Sequence, residues 1–224
     1  FECIRTNVQG AENVVTAAIR ANVRHVVALS TDKAVNPINL YGASKLASDK
    51  IFVAAQSLSG NDGPKFSVVR YGNVIGSRGS LVPFFKKLID EGATNLPITD
   101  PRMTRFFLTV QEGVDFVLNV LAVMQGREIF VPKIPSMRIV DVAAAIAPDL
   151  PIQVIGIRPG EKLNELLITE DDARNTLDLG DRYVVCPSFK TGLLDYYLQN
   201  GGQAVAEDFR YASHENTQWM DAED

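Results

Sequence analysis

The sequence predicts an α/β protein built on a parallel sheet. Short apolar runs alternate with helical patterns, and the first run, His25-Val26-Val27-Ala28-Leu29-Ser30, has the β-branched composition of a strand buried on both faces. The polar residues Thr31-Asp32-Lys33 follow it directly. In open α/β sheets the ligand crevice lies outside the carboxyl ends of the strands, so this polar cluster stands where chemistry is done.

Taken in order, residues 7–21 read as a helix with Val8, Ala11, Val14, Val15, Ala18 and Ile19 on one face. After the 25–30 strand, Pro37 breaks the chain and a second helical pattern covers 41–57, closed by the turn-rich 59–64. Residues 66–71 form the next strand. It delivers the small residues of 72–79, which either let the backbone approach a ligand or make an ordinary tight loop. A short helix over 81–90 puts Phe84, Phe85, Leu88 and Ile89 in a core and leaves Lys86 and Lys87 unassigned. Residues 96–98 and 102–109 are strand-like around two prolines, a poor place for a buried central strand. The 111–124 helix is amphipathic, with Val114, Phe116, Val117, Val120, Leu121 and Met124 on its apolar side. A strand at 128–132, a helix at 139–147, a strand-like 152–157 and a polar tail at 189–224 complete the chain.

With 224 residues, 46% of them hydrophobic, the chain can bury a core as one domain or two small lobes. A net charge of -5 offers no general attraction to nucleic-acid phosphates or anionic lipid, so any anionic ligand needs local cations. Cys3 and Cys186 show no metal or redox spacing and read as two structural thiols, and no metal site is expected. His25 and His214 have no partner pattern. Apolar runs fall short of the roughly 18 to 20 residues that span a bilayer, and no signal peptide opens the chain, so a cytoplasmic protein without membrane contact is expected.

Tyr41 and Lys45 are four apart, adjacent on one helix face. An ammonium beside a phenol favours the phenolate, lowering a pKa that starts at about 10 and making the tyrosine a usable base. Arg102 and Arg105 offer guanidinium groups suited to a diphosphate, Arg105 being the stronger candidate. The turn Arg158-Pro159-Gly160-Glu161 after a strand is suited to gripping a nucleotide, with Arg158 on the diphosphate and Glu161 on ribose hydroxyls.

These residues carry a resemblance. Ser30-Thr31-Asp32-Lys33 with Tyr41 and Lys45, together with R-Y-G-N-V-I-G-S-R-G-S (70–80), D-P-x-M-T-R-F-F (100–107) and R-P-G-E-K-L (158–163), resembles the extended short-chain dehydrogenase/reductases. Within them the chain is most similar to the C5-inverting UDP-N-acetylglucosamine 4,6-dehydratases, which serve nonulosonic acid or surface-glycan biosynthesis. The resemblance implies Thr31, Asp32, Lys33, Tyr41 and Lys45 as catalytic residues. Tyr41, Lys45 and Val74 would bind NADP. Thr31, Lys33, Asn73, Arg105, Arg158, Glu161 and Tyr211 would bind the UDP-sugar, and the complete protein would be a homo-oligomer. Tyr211, Ser213 and Asn216 resemble a substrate-closing segment, or form a surface turn. Asn164 stands where relatives often have histidine.

The resemblance further implies a Rossmann-like sheet with a smaller C-terminal substrate-binding lobe. The dinucleotide-binding part is expected at 1–76 and 110–136 and the substrate lobe at 77–109 and 137–224. No G-x-G-x-x-G opens a strand and helix anywhere, so the N-terminal strands, roughly a hundred residues, are expected to be missing from this chain. A 4-epimerase or reductase of the same superfamily, which needs no acid-base pair after Thr31, and an inactive fragment are the alternatives.

Overall fold

A computed structural model describes residues 1–60, 62–77, 79–187 and 192–221. Its helices are α1 (Gly10–Arg20), α2 (Leu40–Ser59), α3 (Leu81–Asp90), α4 (Val110–Val123), α5 (Ile139–Ile146), α6 (Glu170–Ala173) and α7 (Leu193–Gln199). Its strands are β1 (His25–Thr31), β2 (Lys65–Tyr71), β3 (Asn73–Val74), β4 (Leu96–Ile98), β5 (Thr104–Leu108), β6 (Ile129–Pro132) and β7 (Ser136–Arg138). There follow β8 (Ile152–Val154), β9 (Leu166–Ile168), β10 (Thr176–Asp178), β11 (Arg182–Val185), β12 (Gln203–Ala204) and β13 (Tyr211–Ala212). The chain divides into two compact units, the first comprising Phe1–Tyr71, Val114–Lys133 and Leu166–Arg210, the second Gly72–Gly113, Ile134–Glu165 and Tyr211–Asp224.

In the first unit the sheet order is β1-β2-β6-β11-β10-β12. β1, β2 and β6 are parallel, as the long helical crossovers between them require, and β11, β10 and β12 continue the sheet antiparallel. The segment 166–210, expected in the smaller lobe, therefore belongs to the first unit, and its strands β10, β11 and β12 to the main sheet. Its reason is hydrogen bonding across the edge of β6, where Val131 pairs with Tyr183 and Phe130 with Val184. Val69, Phe130, Leu177 and Val184 of this sheet are closed over by Val120 and Met124 and by Leu193 and Tyr197 of α7. Burying one such Phe or Leu side chain contributes about 1.5–3 kcal/mol.

Two expectations change. β1 is an edge strand among the described residues, not one buried on both faces, and Leu29 is 50% exposed. Within α4 only Val120 is buried, while Val114 and Leu121, expected inward, are exposed.

In the second unit β5 is the central strand of a small β3-β5-β7 sheet, and β4 pairs with β8. All five residues of β5 are buried, contrary to the expectation for 102–109. The prolines that argued against it lie outside it, with Pro101 in the turn that precedes the strand. Phe85 of α3, Leu96, Ile98, Met103 and Phe107 pack with Met137 and with Ile139, Val142 and Ala143 of α5. Among the described residues no helix is long and apolar enough to cross a membrane.

Candidate active site

Thr31 ends β1 in an extended conformation, and its hydroxyl accepts the Lys33 N–H at 3.4 Å, starting a single 3-10 turn over Asp32–Ala34. The same hydroxyl donates to Asp32 Oδ1 at 2.7 Å, and Lys33 Nζ donates to that oxygen at 2.9 Å. Asp32 has no exposed surface, whereas the Lys33 side chain is 38% exposed. The acid-base pair read from the sequence is thus one hydrogen-bonded cluster with a buried carboxylate and an amine facing outward.

Tyr41 and Lys45 sit one turn apart at the start of α2, as their spacing predicts. Asn39 caps this helix by accepting the Gly42 N–H at 2.8 Å, a role legible in an Asn just after a proline break. Tyr41 is 44% exposed. Its carbonyl accepts the Ser44 hydroxyl at 2.7 Å, and Ser44 in turn accepts from Asn7 Nδ2 at 2.9 Å, which pins the π-helical turn Ile4–Gln9 to α2. Lys45 Nζ donates to the Leu29 carbonyl at 2.7 Å. That bond fixes the ammonium against the strand that carries the cluster. Tyr71, at the end of β2, is a phenol the sequence reading passed over. Burial raises its pKa, and nearby Tyr41 adds to the rise.

Behind these groups lies Asp49, one turn beyond Lys45 and 2% exposed. Its carboxyl pKa is raised by burial, against the lowering influence of Arg70, Ser30 and Lys45. None of this was legible in the sequence, because Arg70 and Ser30 meet Asp49 only through the fold.

The other predicted ligands belong to the second unit. Asn73 and Val74, both partly exposed, form β3 and pair with the buried Phe107 and Leu108. Gly72 before them is obligatory, since a Cβ there would meet Phe106 Cβ at 2.5 Å. Arg158 is exposed, and its turn is closed by Glu161, whose carboxylate accepts the Arg158 N–H at 3.2 Å. Arg105 is placed differently from the expectation. It is 7% exposed, and its guanidinium donates to the carbonyls of Thr104 (2.7 Å), Leu163 (3.0 Å) and Lys162 (2.9 Å) beside Glu165 at 3.8 Å. It holds the loop that follows Glu161. Tyr211 is 6% exposed, its hydroxyl accepting the Ile134 N–H and donating to the Ile134 carbonyl, both at 2.9 Å. Ser213 and Asn216 are tethers too, bonded to Thr104 and to Ile134 and Ser136. In this structure the 211–216 motif fastens the tail to its own unit. Arg78 and the tail residues 189–191 and 222–224 lie outside the described residues. Among the described residues no cluster of His, Cys, Asp and Glu has the makings of a metal site.

Comparison with known proteins adds to this geometry. The family model described as polysaccharide biosynthesis protein matches residues 1–187. A UDP-N-acetylglucosamine 4,6-dehydratase (inverting) of Campylobacter jejuni is 54% identical over 224 residues, 98% of this chain and 67% of the relative. Among solved structures, Pen from Bacillus thuringiensis superposes with a TM-score of 0.86 at 30% identity, covering 100% of this chain and 67% of that one. A dTDP-glucose 4,6-dehydratase from Streptomyces venezuelae, solved with NAD bound, shares the fold at a TM-score of 0.64 and 23% identity, over 71% of this chain and 56% of its own. The architecture is that of Rossmann-fold sugar-nucleotide dehydratases and epimerases.

Proposed function

We propose, proceeding from the fact that this chain belongs to the polysaccharide biosynthesis protein family, that the protein dehydrates UDP-N-acetylglucosamine to a UDP-4-keto-6-deoxy-N-acetylhexosamine with inversion at C5. The observation that carries the reading is the Asp32–Lys33 contact of 2.9 Å at the end of β1, beside the helix that presents Tyr41 and Lys45. A simple oxidation or epimerisation at C4 needs the latter two and has no use for the former.

The chemistry follows from proton positions. Tyr41, with Lys45 stabilising its phenolate, takes the proton of the C4 hydroxyl. The ketone at C4 acidifies C5–H, which makes elimination feasible for a side-chain amine. Lys33 and Asp32 as an ion pair are one proton transfer away from a neutral amine beside a carboxylic acid, the form in which they work as base and acid. Lys33 then takes the C5 proton. Asp32, which is buried, delivers its proton to the departing C6 oxygen by way of the Thr31 hydroxyl bonded to it at 2.7 Å, and water leaves. The ion pair is thereby restored. Lys33 gives the C5 proton up to solvent and a solvent-derived proton is added to C5 on the opposite face, which inverts that centre, and the proton taken at C4 replaces through solvent the one Asp32 gave.

The half-exposed phenol of Tyr41 and the ammonium of Lys45 are the donor set that a nicotinamide ribose needs, so these residues fit such a cofactor. When bound, it supplies a hydride acceptor at C4 and a donor at C6. We take it to be NADP, with Val74 beside the nicotinamide, on the resemblance to the inverting dehydratases. Asn73, Arg158 and Glu161 are assigned to the nucleotide sugar on the same ground, and the assembled protein to a homo-oligomer of the cytoplasm.

Incubation of the full-length protein with UDP-N-acetylglucosamine, followed by NMR of the product, tests the reading. A 4-keto-6-deoxy sugar of inverted C5 configuration supports it. A C4 epimer as the product overturns it.

A further inference from the structure

We propose that the buried Asp49–Arg70 pair is a positioning device, which sets α2 against β1 and so aligns Tyr41 and Lys45 with the Asp32–Lys33 cluster. The inference rests on the catalytic reading above.

Both partners are withdrawn from water, each with a side chain 3% exposed, and Arg70 Nη2 lies 3.4 Å from Asp49 Oδ2. The pairing is imperfect. Arg70 Nη1 donates instead to the Leu167 carbonyl at 2.9 Å, Asp172 stands 3.8 Å away, and Nε has no hydrogen-bond partner among the described residues. A buried ion pair with such gaps is a poor source of stability, because desolvation offsets most of its Coulombic gain and an apolar pair of similar volume often does as well. Its geometry accounts for it better. Ser30 and Arg70 are register partners on adjacent parallel strands, so the ion pair reaches β2 at the level of Ser30 on β1. Lys45, one turn earlier on the same face of α2, donates to the carbonyl of Leu29. Two successive turns of α2 are therefore held at successive levels of the β1-β2 pair, by Lys45 on Leu29 of β1 and by Asp49 on Arg70 of β2, immediately before Thr31, Asp32 and Lys33. Two points of attachment fix both the rotation and the axial position of a helix, where one leaves it free to turn. Arg70 extends the same fastening to Leu167 of β9, the strand that packs beside the Asp32–Ala34 turn.

The test separates positioning from bulk stability in the full-length protein. Asp49→Leu with Arg70→Met removes both charges together, so neither is left buried alone. The expected result is a melting temperature near that of the wild type, a kcat lower by about tenfold or more with KM for the UDP-sugar unchanged, and faster amide hydrogen exchange confined to 29–33 and 41–45. Arg70→Lys, which keeps a cation beside Asp49, should retain most of the kcat that the double variant loses. Wild-type kcat and wild-type exchange in the first double variant would overturn the proposal. Should the double variant not fold, Asp49→Asn alone weakens one attachment at unchanged volume and is judged by the same readouts. The exchange measurement needs no turnover. Localised loosening in a protein that forms no 4-keto product would sink the dehydratase reading while sustaining the positioning role.

Discussion

The Cα of Gly42 lies so close to the Lys33 carbonyl that a Cβ at position 42 would clash with that oxygen. The turn carrying Asp32 and Lys33 thus rests directly on the backbone of the first turn of α2, next to Tyr41. Gly42 is not at a positive φ, so its requirement is for space and not for an unusual backbone conformation.

Gly42→Ala should therefore push the Lys33 turn off the helix. Overpacking of this kind typically costs on the order of 1–3 kcal/mol, and the displaced groups are those proposed for the chemistry. A kcat reduced by at least about tenfold, together with a lowered melting temperature, is expected. A variant with wild-type kcat would show that the contact has no bearing on catalysis.

Lys33 presents the exposed end of the acid-base cluster, and its loss separates elimination from oxidation. Lys33→Met is expected to lower turnover by about 10²- to 10⁴-fold, the usual range for removing a general base. Exchange of the C5 hydrogen with deuterated solvent should vanish, while reduced cofactor builds up on the enzyme because Tyr41 and Lys45 still carry out oxidation at C4. Turnover and C5 exchange at wild-type levels would return Lys33 to the status of a solvated loop lysine.

The residues legible in the sequence were those whose neighbours are close in the chain. Tyr41 and Lys45 share a helical turn, and Thr31, Asp32 and Lys33 share a strand end, so periodicity and order suffice to bring them together. Arg105 shows the opposite case. A guanidinium in a loop-like segment suggests an anion ligand, but its partners are carbonyls at 162 and 163, some sixty residues on, and nothing local encodes that meeting. The same holds for β10, β11 and β12, which join the sheet through pairing of β11 with the distant β6, and for Asp49 of α2, whose partner Arg70 comes from β2.

Cys186 predicts an alkaline limit to stability. It is buried, and burial, helped by the carboxylate of Glu128, pushes its thiol up to about 12 from an ordinary 9.0. Below pH 9 both folded and unfolded chains keep the proton, and Cys186 adds no pH dependence. Between 9 and about 12 only the folded chain keeps it, so stability should fall by roughly 1.4 kcal/mol per pH unit. Tyr197, which donates to Glu128 at 2.8 Å and whose pKa is raised by burial, steepens the fall from pH 10 upward. Melting temperatures measured from pH 8 to 11 should decline from about pH 9, and Cys186→Ala should flatten the first part of the decline. An unchanged slope in that variant would remove the thiol as its cause.

Arg105 and Arg158 provide a last contrast, between a cation turned inward and one turned outward. Truncating Arg105 removes one donor from each of three backbone carbonyls, of which those of Thr104 and Leu163 keep another, and leaves Glu165, itself buried and 3.6 Å from Lys162, with one cation fewer beside it. Arg105→Ala should accordingly destabilise the protein by roughly 2–5 kcal/mol, and any rise in KM should come with that loss. Arg158 is exposed, so Arg158→Ala should leave the melting temperature unchanged. If its guanidinium grips the diphosphate, KM for the UDP-sugar rises about tenfold, in line with the roughly 1.5–3 kcal/mol of a charged hydrogen bond. A KM that rises in the Arg105 variant at unaltered melting temperature, with no change for Arg158, would reverse the assignment and make Arg105 the anion ligand after all.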